Sequence, residues 1–451
     1  MEENPKKNVE EQPCGETQNQ NGQDQKRKRK GRPRWANVLL CVGLSAVIFV
    51  GGMLTTWGLL DEEMRSLLKV RYLLDTMYYE EIDDDEFYDV VFNAINDNLL
   101  DKYSRYLTEE EFEEKIKAGT GAQSGIGVAF SADDGAGMRI LRVMGNSPAE
   151  NAGVVPGSYL TGAGKSAESI TPCSNFEEVQ ALLREYRTGE NFYIRCKEGE
   201  EEKLFQLAKA HYTENYVFYR NKDTAYRFAG TSGTTMVEWK NPLKELPEDT
   251  AYIKLTEFNG NAANTFAQAM DVFKRENKKN LVLDLRGNGG GKMDILSKIG
   301  RYFCKDNKEN SPIIALADYG ETIKAFKSDK SLYASYFGSN SRICVLADKN
   351  TASASEALMG CMLDYGATAY SNICLFERGG EAKTYGKGIM QTTIPLLFGE
   401  DALKITTAKI LWPKSRNCIH DRGILVEDGA KRVAESADEA EICAALQMLF
   451  N

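Results

Sequence analysis

The chain has 451 residues, 42% of them hydrophobic and 27% charged. That is enough apolar material for buried cores and enough length for two or three domains. A formal net charge of −10 argues against nucleic acid as the main partner. Ten cysteines are scattered with no CxxC, which fits neither a zinc site nor a dense disulfide framework.

Residues 1–34 are rich in Asn, Gln, Glu and Lys and read as a disordered tail. Its end, Lys26 to Arg34, carries seven basic residues in nine. Trp35 to Leu60 follows, 26 positions without a charge. At about 1.5 Å rise per residue, a helix of that length spans a hydrocarbon core of roughly 30 Å. Asp61, Glu62 and Glu63 lie on the other side. The positive-inside rule then predicts a single-pass anchor at 35–60, with the tail cytoplasmic and all later residues extracytoplasmic. A cleaved signal peptide is the competing reading. It calls for a shorter apolar region, about 7–15 residues, and a small-residue cleavage site. Gly51-Gly52-Met53 is a poor one.

Residues 61–118 carry helical spacing: Leu67, Val70, Leu73, Leu74 and Met77, then Phe87, Val90, Val91, Ala94, Ile95 and Leu99. Thr108 opens a third helix, with a capping Thr and an acidic first turn. From 119 to 210 short alternating segments surround one amphipathic helix, Phe176 to Arg187, and predict a small, partly open β-module. Residues 211–249 lead into the next domain, and 228–248, with GTSGTT and NPLKELPED, are expected to be its linker. From 250 to 451 strand and helix alternate, which predicts an α/β layer.

Three segments in that layer can carry chemistry. Asn350 to Glu356, NTASASE, lies between a buried strand and an apolar helix. A serine there sits at a strand-to-helix turn, where helix N-terminal N–H groups can stabilise an oxyanion. The same residues also suit an ordinary N-cap. LDLRGNGGG (283–291) ends a buried strand in a turn that brings backbone N–H groups close to a ligand, or simply connects strand to helix. It has neither GxGxxG spacing nor a following GK[ST], so it is no phosphate loop. TYGKGIMQ (384–391) puts Lys387 between two glycines, free to enter a crowded site or to lie exposed in a turn. The only histidines, His211 and His420, lie beside no plausible nucleophile, and a hydrolase here needs another base. A lysine of lowered pKa is the usual alternative.

In order and joint presence, these segments resemble the carboxyl-terminal processing, or tail-specific, serine proteases. LRxNxGG of that family appears as Leu285 to Gly291, TASASE as Thr351 to Glu356, and FGKGxxQ as Tyr385 to Gln391. The resemblance makes Ser353 rather than Ser355 the nucleophile, Lys387 its base and Gln391 the residue orienting that lysine. It gives the oxyanion hole to the N–H groups of Gly291 and Ala354, and supporting roles to Glu356, Asp364 and Thr384. It also makes 119–210 a PDZ domain, whose loop Gly125, Ile126, Gly127 and Val128 would receive a peptide's terminal carboxylate. LLDKYSRYL (99–107) and KITTAKILWPKSRNCIHDRGI (404–424) match further family segments.

The resemblance implies a mixed α/β multidomain protein: transmembrane helix, helical region, PDZ domain, and a protease core of the crotonase/ClpP-like type over 250–451. It implies protein substrates with exposed C-termini and no metal or organic cofactor, and leaves a homo-oligomer open. There are departures. Ser353 and Lys387 stand 34 residues apart, farther than in familiar members, with the extra length inside 368–383. The family's VNG turn reads Gly162-Ala163-Gly164-Lys165, and its GIxPD reads Gly423 to Asp428 as GILVED. Two other classes compete: a catalytically silent, anchored PDZ scaffold, and an acyl-CoA enzyme on the related layer. Intact Ser353, Lys387 and Gln391 argue against the first, and the PDZ domain against the second.

Overall fold

The computed structural model describes residues 34–130, 138–229, 235–238, 242–305, 310–396, 401–436 and 438–450. The tail expected over 1–34 lies outside them except for Arg34. The chain forms two compact units, Met1–Asp89 and Val90–Asn451.

In the first unit, helix α1 (Arg34–Leu59) covers the uncharged run, and its apolar Leu44, Val47, Ile48 and Phe49 are exposed. Several of its side chains fall outside the described set. Among the described residues no helix is long and apolar enough to cross a membrane. Helix α2 (Glu62–Met77) starts where the Asp61 carboxylate accepts the Met64 N–H at 2.7 Å. Its predicted apolar stripe is present, but none of its residues is buried. Helix α3 (Asp84–Asn98) begins where Asp84 pairs with Arg71.

A three-residue strand, β1 (Arg105–Leu107), interrupts the predicted helical region. Leu107 is buried and the strand pairs with a partner some 300 residues away, which local spacing cannot show. Helix α4 (Glu109–Thr120) follows, and Thr108 and Glu111 exchange reciprocal backbone bonds as a capping box.

The β-module runs from β2 (Ala122–Gly125) through β3 (Val128–Phe130), β4 (Met138–Val143), α5 (Pro148–Ala152), β5 (Tyr159–Gly164), β6 (Ile170–Pro172), α6 (Phe176–Arg184), β7 (Asn191–Glu198) and β8 (Glu201–Ala208) to β9 (Ala210–Thr213). Its sheet has the order β3-β4-β5-β7-β8, with β6 on β5, and β2 pairs with β9. Met138, Ile140, Leu160, Phe192, Ile194 and Cys196 alternate inward into one core.

The large sheet collects β10 (Val217–Arg220), β11 (Ala225–Ala229), β12 (Thr235–Glu238), β13 (Thr250–Leu255), β14 (Asn280–Asp284), β17 (Ile343–Asp348), β18 (Ile373–Phe376) and β21 (Lys431–Val433). Its order is β12-β11-β10-β13-β14-β17-β18-β21, and the run from β13 to β21 is parallel. The expected linker is corrected here. Residues 235–238 pair with β11, and Leu243 and Leu246 are buried against the sheet. Helices α7 (Ala262–Arg275), α8 (Met293–Gly300) and α10 (Ala354–Asp364), with the short α9 (Tyr333–Tyr336), pack on one face. Beyond them lies a second sheet, β1-β20-β15-β16 with β19 on β20. It is built from β15 (Ile313–Asp318), β16 (Ile323–Lys327), β19 (Ile389–Pro395) and β20 (Ala402–Leu411). Helix α11 (Asp438–Phe450) covers the other face.

Both faces are therefore covered, which explains why β17 is apolar from Ile343 to Ala347 and wholly buried. Leu281 and Leu283 face the first core and Val282 the second. The cysteines of these strands serve as small buried hydrophobes. Burial pushes the Cys344 and Cys374 thiols up to about 12.

Helix α10 lies close to the residue that follows β20 because it presents Gly360 to Trp412, where a Cβ would overlap the indole. Gly360→Ala should lose about 1–3 kcal/mol despite alanine's better helix propensity. Chemical denaturation reads this, and an unchanged or raised stability would show that the two elements can part at no cost.

Candidate active site

Two loops leave the carboxyl ends of the adjacent parallel strands β14 and β17, the edge where open α/β sheets place ligands. The first is the glycine turn, Leu285 to Gly291. The second runs from Lys349 to Ser353 and opens α10. Backbone and short polar side chains join them. Ala352 N–H donates to Asn288 O at 3.0 Å, Ser355 Oγ to the same carbonyl at 3.0 Å, and Thr351 Oγ1 to Leu285 O at 2.8 Å. Asp348 Oδ1 accepts N–H groups from both loops, Gly287 and Asn350, each at 3.0 Å.

Gly290 has φ +105°, and a Cβ there would stand 2.8 Å from both Ala354 N and Ser353 Cβ. Only glycine lets the turn come this close. Among the described residues, neither the Gly291 N–H nor the Ala354 N–H donates to a protein acceptor.

Ser353 occupies the N-cap position, yet its side chain makes no capping bond. Its backbone is at φ +57°, ψ −115°, a conformation that L-residues other than glycine rarely hold. The ordinary-cap reading therefore fails: among the described residues Oγ makes no hydrogen bond, while the Ser353 N–H is tied to Glu356 Oε2 at 3.0 Å and the Ser353 carbonyl accepts the Ala357 N–H at 2.9 Å. Ser355 is buried with its hydroxyl spent on Asn288, so it is a structural residue.

Glu356 is the junction. Besides Ser353 N–H it accepts Thr384 Oγ1 at 2.6 Å, Gly386 N–H at 2.8 Å and Lys387 N–H at 2.8 Å. Thr384 Oγ1 in turn accepts Ile424 N–H at 2.7 Å. The lysine loop is thereby fastened to the first turn of α10. Gly386, at φ +86°, and Gly388 lie against the backbone of Arg422 to Gly423 and of His420, where side chains would collide.

Lys387 is partly buried, with Nζ 4.9 Å from the Tyr103 ring centroid. Burial lowers its pKa from the ordinary lysine value, and the nearby Lys404 charge lowers it further. Tyr385, Asp101 and Glu356 pull weakly the other way. Lys404 is itself held low by burial and by Arg105, its register partner across β1 and β20. A cavity of about 380 Å³ opens beside this loop, bordered by Asp101, Asp318, Ile389, Thr406 and His420.

The remaining expected residues divide. Gln391 donates to Thr406 Oγ1 at 3.1 Å and makes no bond to Lys387, because a register shift between Met390 and Gln391 turns it toward β20. Asp364 ends α10, about 16 Å along the axis from Ser353. There it accepts the Lys414 and Ser415 N–H groups at 2.8 and 2.9 Å, and so holds the turn after β20. No hydrogen bond joins Ser353 Oγ to Lys387 Nζ, as is common before substrate binds. His211 lies on β9, and among the described residues the His420 ring stands 3.7 Å from the Asp421 carboxylate. Sequence reasoning missed Tyr103 and Lys404 as parts of the lysine's surroundings, although both lie in segments already matched to the family.

Residues 249–427 match the model of peptidase family S41. Over that segment the chain is similar to serine peptidases of family S41. A probable CtpA-like serine protease of Staphylococcus haemolyticus is 26% identical over 392 residues, which cover 86% of this chain and 69% of that one. A protein of the same description from Staphylococcus aureus is 25% identical over 422 residues, covering 90% and 75%. Among solved structures, a photosystem II D1 C-terminal processing protease aligns with 83% of this chain and 89% of its own, at 21% identity and a TM-score of 0.45. The S41 segment includes the glycine turn, Ser353 and the lysine loop, and excludes the β-module and α11.

If Lys404 helps to keep Lys387 neutral, Lys404→Met removes a positive neighbour and must raise the Lys387 pKa. Its reactivity toward trace acetic anhydride, read by peptide mass spectrometry against pH, should shift to a higher midpoint, and Lys404→Arg should leave it in place. An unmoved midpoint in Lys404→Met would assign the depression to burial alone.

Proposed function

We propose that this chain is a membrane-anchored serine endopeptidase with a Ser353–Lys387 dyad, acting on C-terminal tails of extracytoplasmic proteins. The observation that carries the dyad is Ser353 itself: an uncommitted hydroxyl on a strained strand-to-helix turn, fastened through Glu356 to a lysine of lowered pKa.

In this reading neutral Lys387 takes the Ser353 proton as Oγ attacks the peptide carbonyl. The Gly291 and Ala354 N–H groups bind the oxyanion, Lys387 returns the proton to the leaving amine, and water hydrolyses the acyl-enzyme. Gln391 would have to leave Thr406 to orient the lysine.

The β-module is read as a PDZ-type peptide site. In support, β3 is an edge strand among the described residues, and Gly127, at φ +80°, packs where a Cβ would overlap Ser147. Anchoring is supported by the uncharged run 35–60 on α1, by the basic residues before it and by the acidic ones after it.

The test is cleavage of a loosely folded protein with an apolar C-terminus, using the full chain in mild detergent and mass spectrometry of the fragments. Ser353→Ala and Lys387→Ala should each lower turnover by about 10⁴-fold or more, while Ser355→Ala should still cleave. Equal cleavage by wild type and Ser353→Ala would move the nucleophile elsewhere. Cleavage by none would favour the silent scaffold.

A further inference from the structure

Behind the glycine turn lies a network of buried charge, and one member comes from outside the S41 segment. Arg286, in the turn, is 5% exposed. It binds the Asp284 carboxylate through Nε and Nη2 at 2.8–3.1 Å, and reaches Glu441 Oε2 through Nη1 at 3.2 Å. Arg378, in the loop after β18, donates to Glu441 Oε1 at 2.6 Å and Oε2 at 2.8 Å, and stands 3.6 Å from Asp348 Oδ2. Asp348 is the carboxylate that holds Gly287 and Asn350.

Glu441 thus connects α11 to the active-site loops by two routes, one directly into the turn and one through Arg378 and Asp348. It is 1% exposed. A buried carboxylate is costly unless fully paired, and here it is shared by two guanidinium groups. Helix α11 does not need that charge to dock. Ile442, Ala445, Leu446 and Leu449 already bury an apolar face against Val282, Leu346 and Phe376. What the carboxylate adds is direction, because paired hydrogen bonds fix two arginines where apolar packing would let them slide. The loop carrying Arg378 lies in the longer stretch between Ser353 and Lys387, which gives that stretch a physical purpose.

We propose that Glu441 is a positioning residue that holds the glycine turn, and with it the Gly291 donor, in register with Ser353. The inference rests on the reading of Ser353 as nucleophile. It separates two affinities: binding of a tetrahedral adduct needs the turn in place, and binding of a peptide in its ground state does not.

The experiment uses the full chain in mild detergent. Affinity for a peptide boronate is compared in wild type and Glu441→Gln, alongside kcat, KM and melting temperature. Affinity for the matching unmodified peptide is measured with Ser353→Ala and with the double variant. Glu441→Gln should weaken boronate binding and lower kcat by about ten- to a hundredfold, with KM and peptide affinity within about twofold. Boronate affinity and kcat equal to wild type, or boronate and peptide affinity lost together, would overturn the proposal. Should Glu441→Gln fail to fold, Arg378→Gln cuts the route through Asp348 at its partly exposed end and must show the same split. A wild type that takes no boronate on Ser353 overturns the nucleophile reading, and this inference falls with it. A wild type that does, beside an equally tight Glu441→Gln, overturns this inference alone.

Discussion

The Glu356 carboxylate has two oxygens and four donors, and the rest of the site depends on that match. Oε1 receives Thr384 Oγ1 and the Gly386 N–H, and Oε2 receives the Lys387 and Ser353 N–H groups. An ionised carboxylate offers about four lone-pair positions, so all are filled. A protonated acid or an amide would set a donor against a donor. Burial pushes this carboxyl above its ordinary range, and the four bonds push back. Its place in the first turn of α10 also suits a negative charge. One buried group thereby joins two segments that lie 34 residues apart.

Two opposed electrostatic demands meet within a few residues, a charged glutamate and a neutral lysine. They coexist because Glu356 spends its charge on four hydrogen-bond donors, while burial and the neighbouring Lys404 charge lower the Lys387 pKa. The strain at Ser353 is held the same way. Bonds from Ala352 and Ser355 to Asn288, and from Tyr385 N–H to Thr351 O, fix both sides of the turn and leave the serine its unusual backbone. Arg286, Arg378 and Glu441 extend this anchoring through the sheet to α11 on its far side.

The parts legible in the sequence were those whose chemistry demands particular residue types in a short window. GNGGG marks a turn where backbone must approach backbone, TASASE a strand-to-helix corner, and YGKG a lysine with no bulk beside it. The parallel layer was legible too, because strands buried on both faces lose their polar alternation. What stayed hidden depends on pairing between distant segments. The strand at Arg105–Leu107 exists because β20 lies beside it. Residues 235–238, within the stretch read as a linker, form a strand because β11 offers an edge. Gln391 points at Thr406 through a one-residue register shift that no local pattern records. Glu441 reads as one acidic residue in an ordinary terminal helix until the sheet brings two arginines to it.

The central claim is that Glu356 aligns Ser353 with Lys387. It is tested most directly by the rate at which an alkyl fluorophosphonate labels Ser353 in Glu356→Gln, followed by intact mass with melting measured on the same sample. A folded variant labelled on the order of a hundredfold more slowly than wild type is the expected result, since a displacement of about 1 Å costs that much. A folded variant labelled at the wild-type rate would mean that the serine turn and the lysine loop hold their geometry without the carboxylate, and would contradict the account.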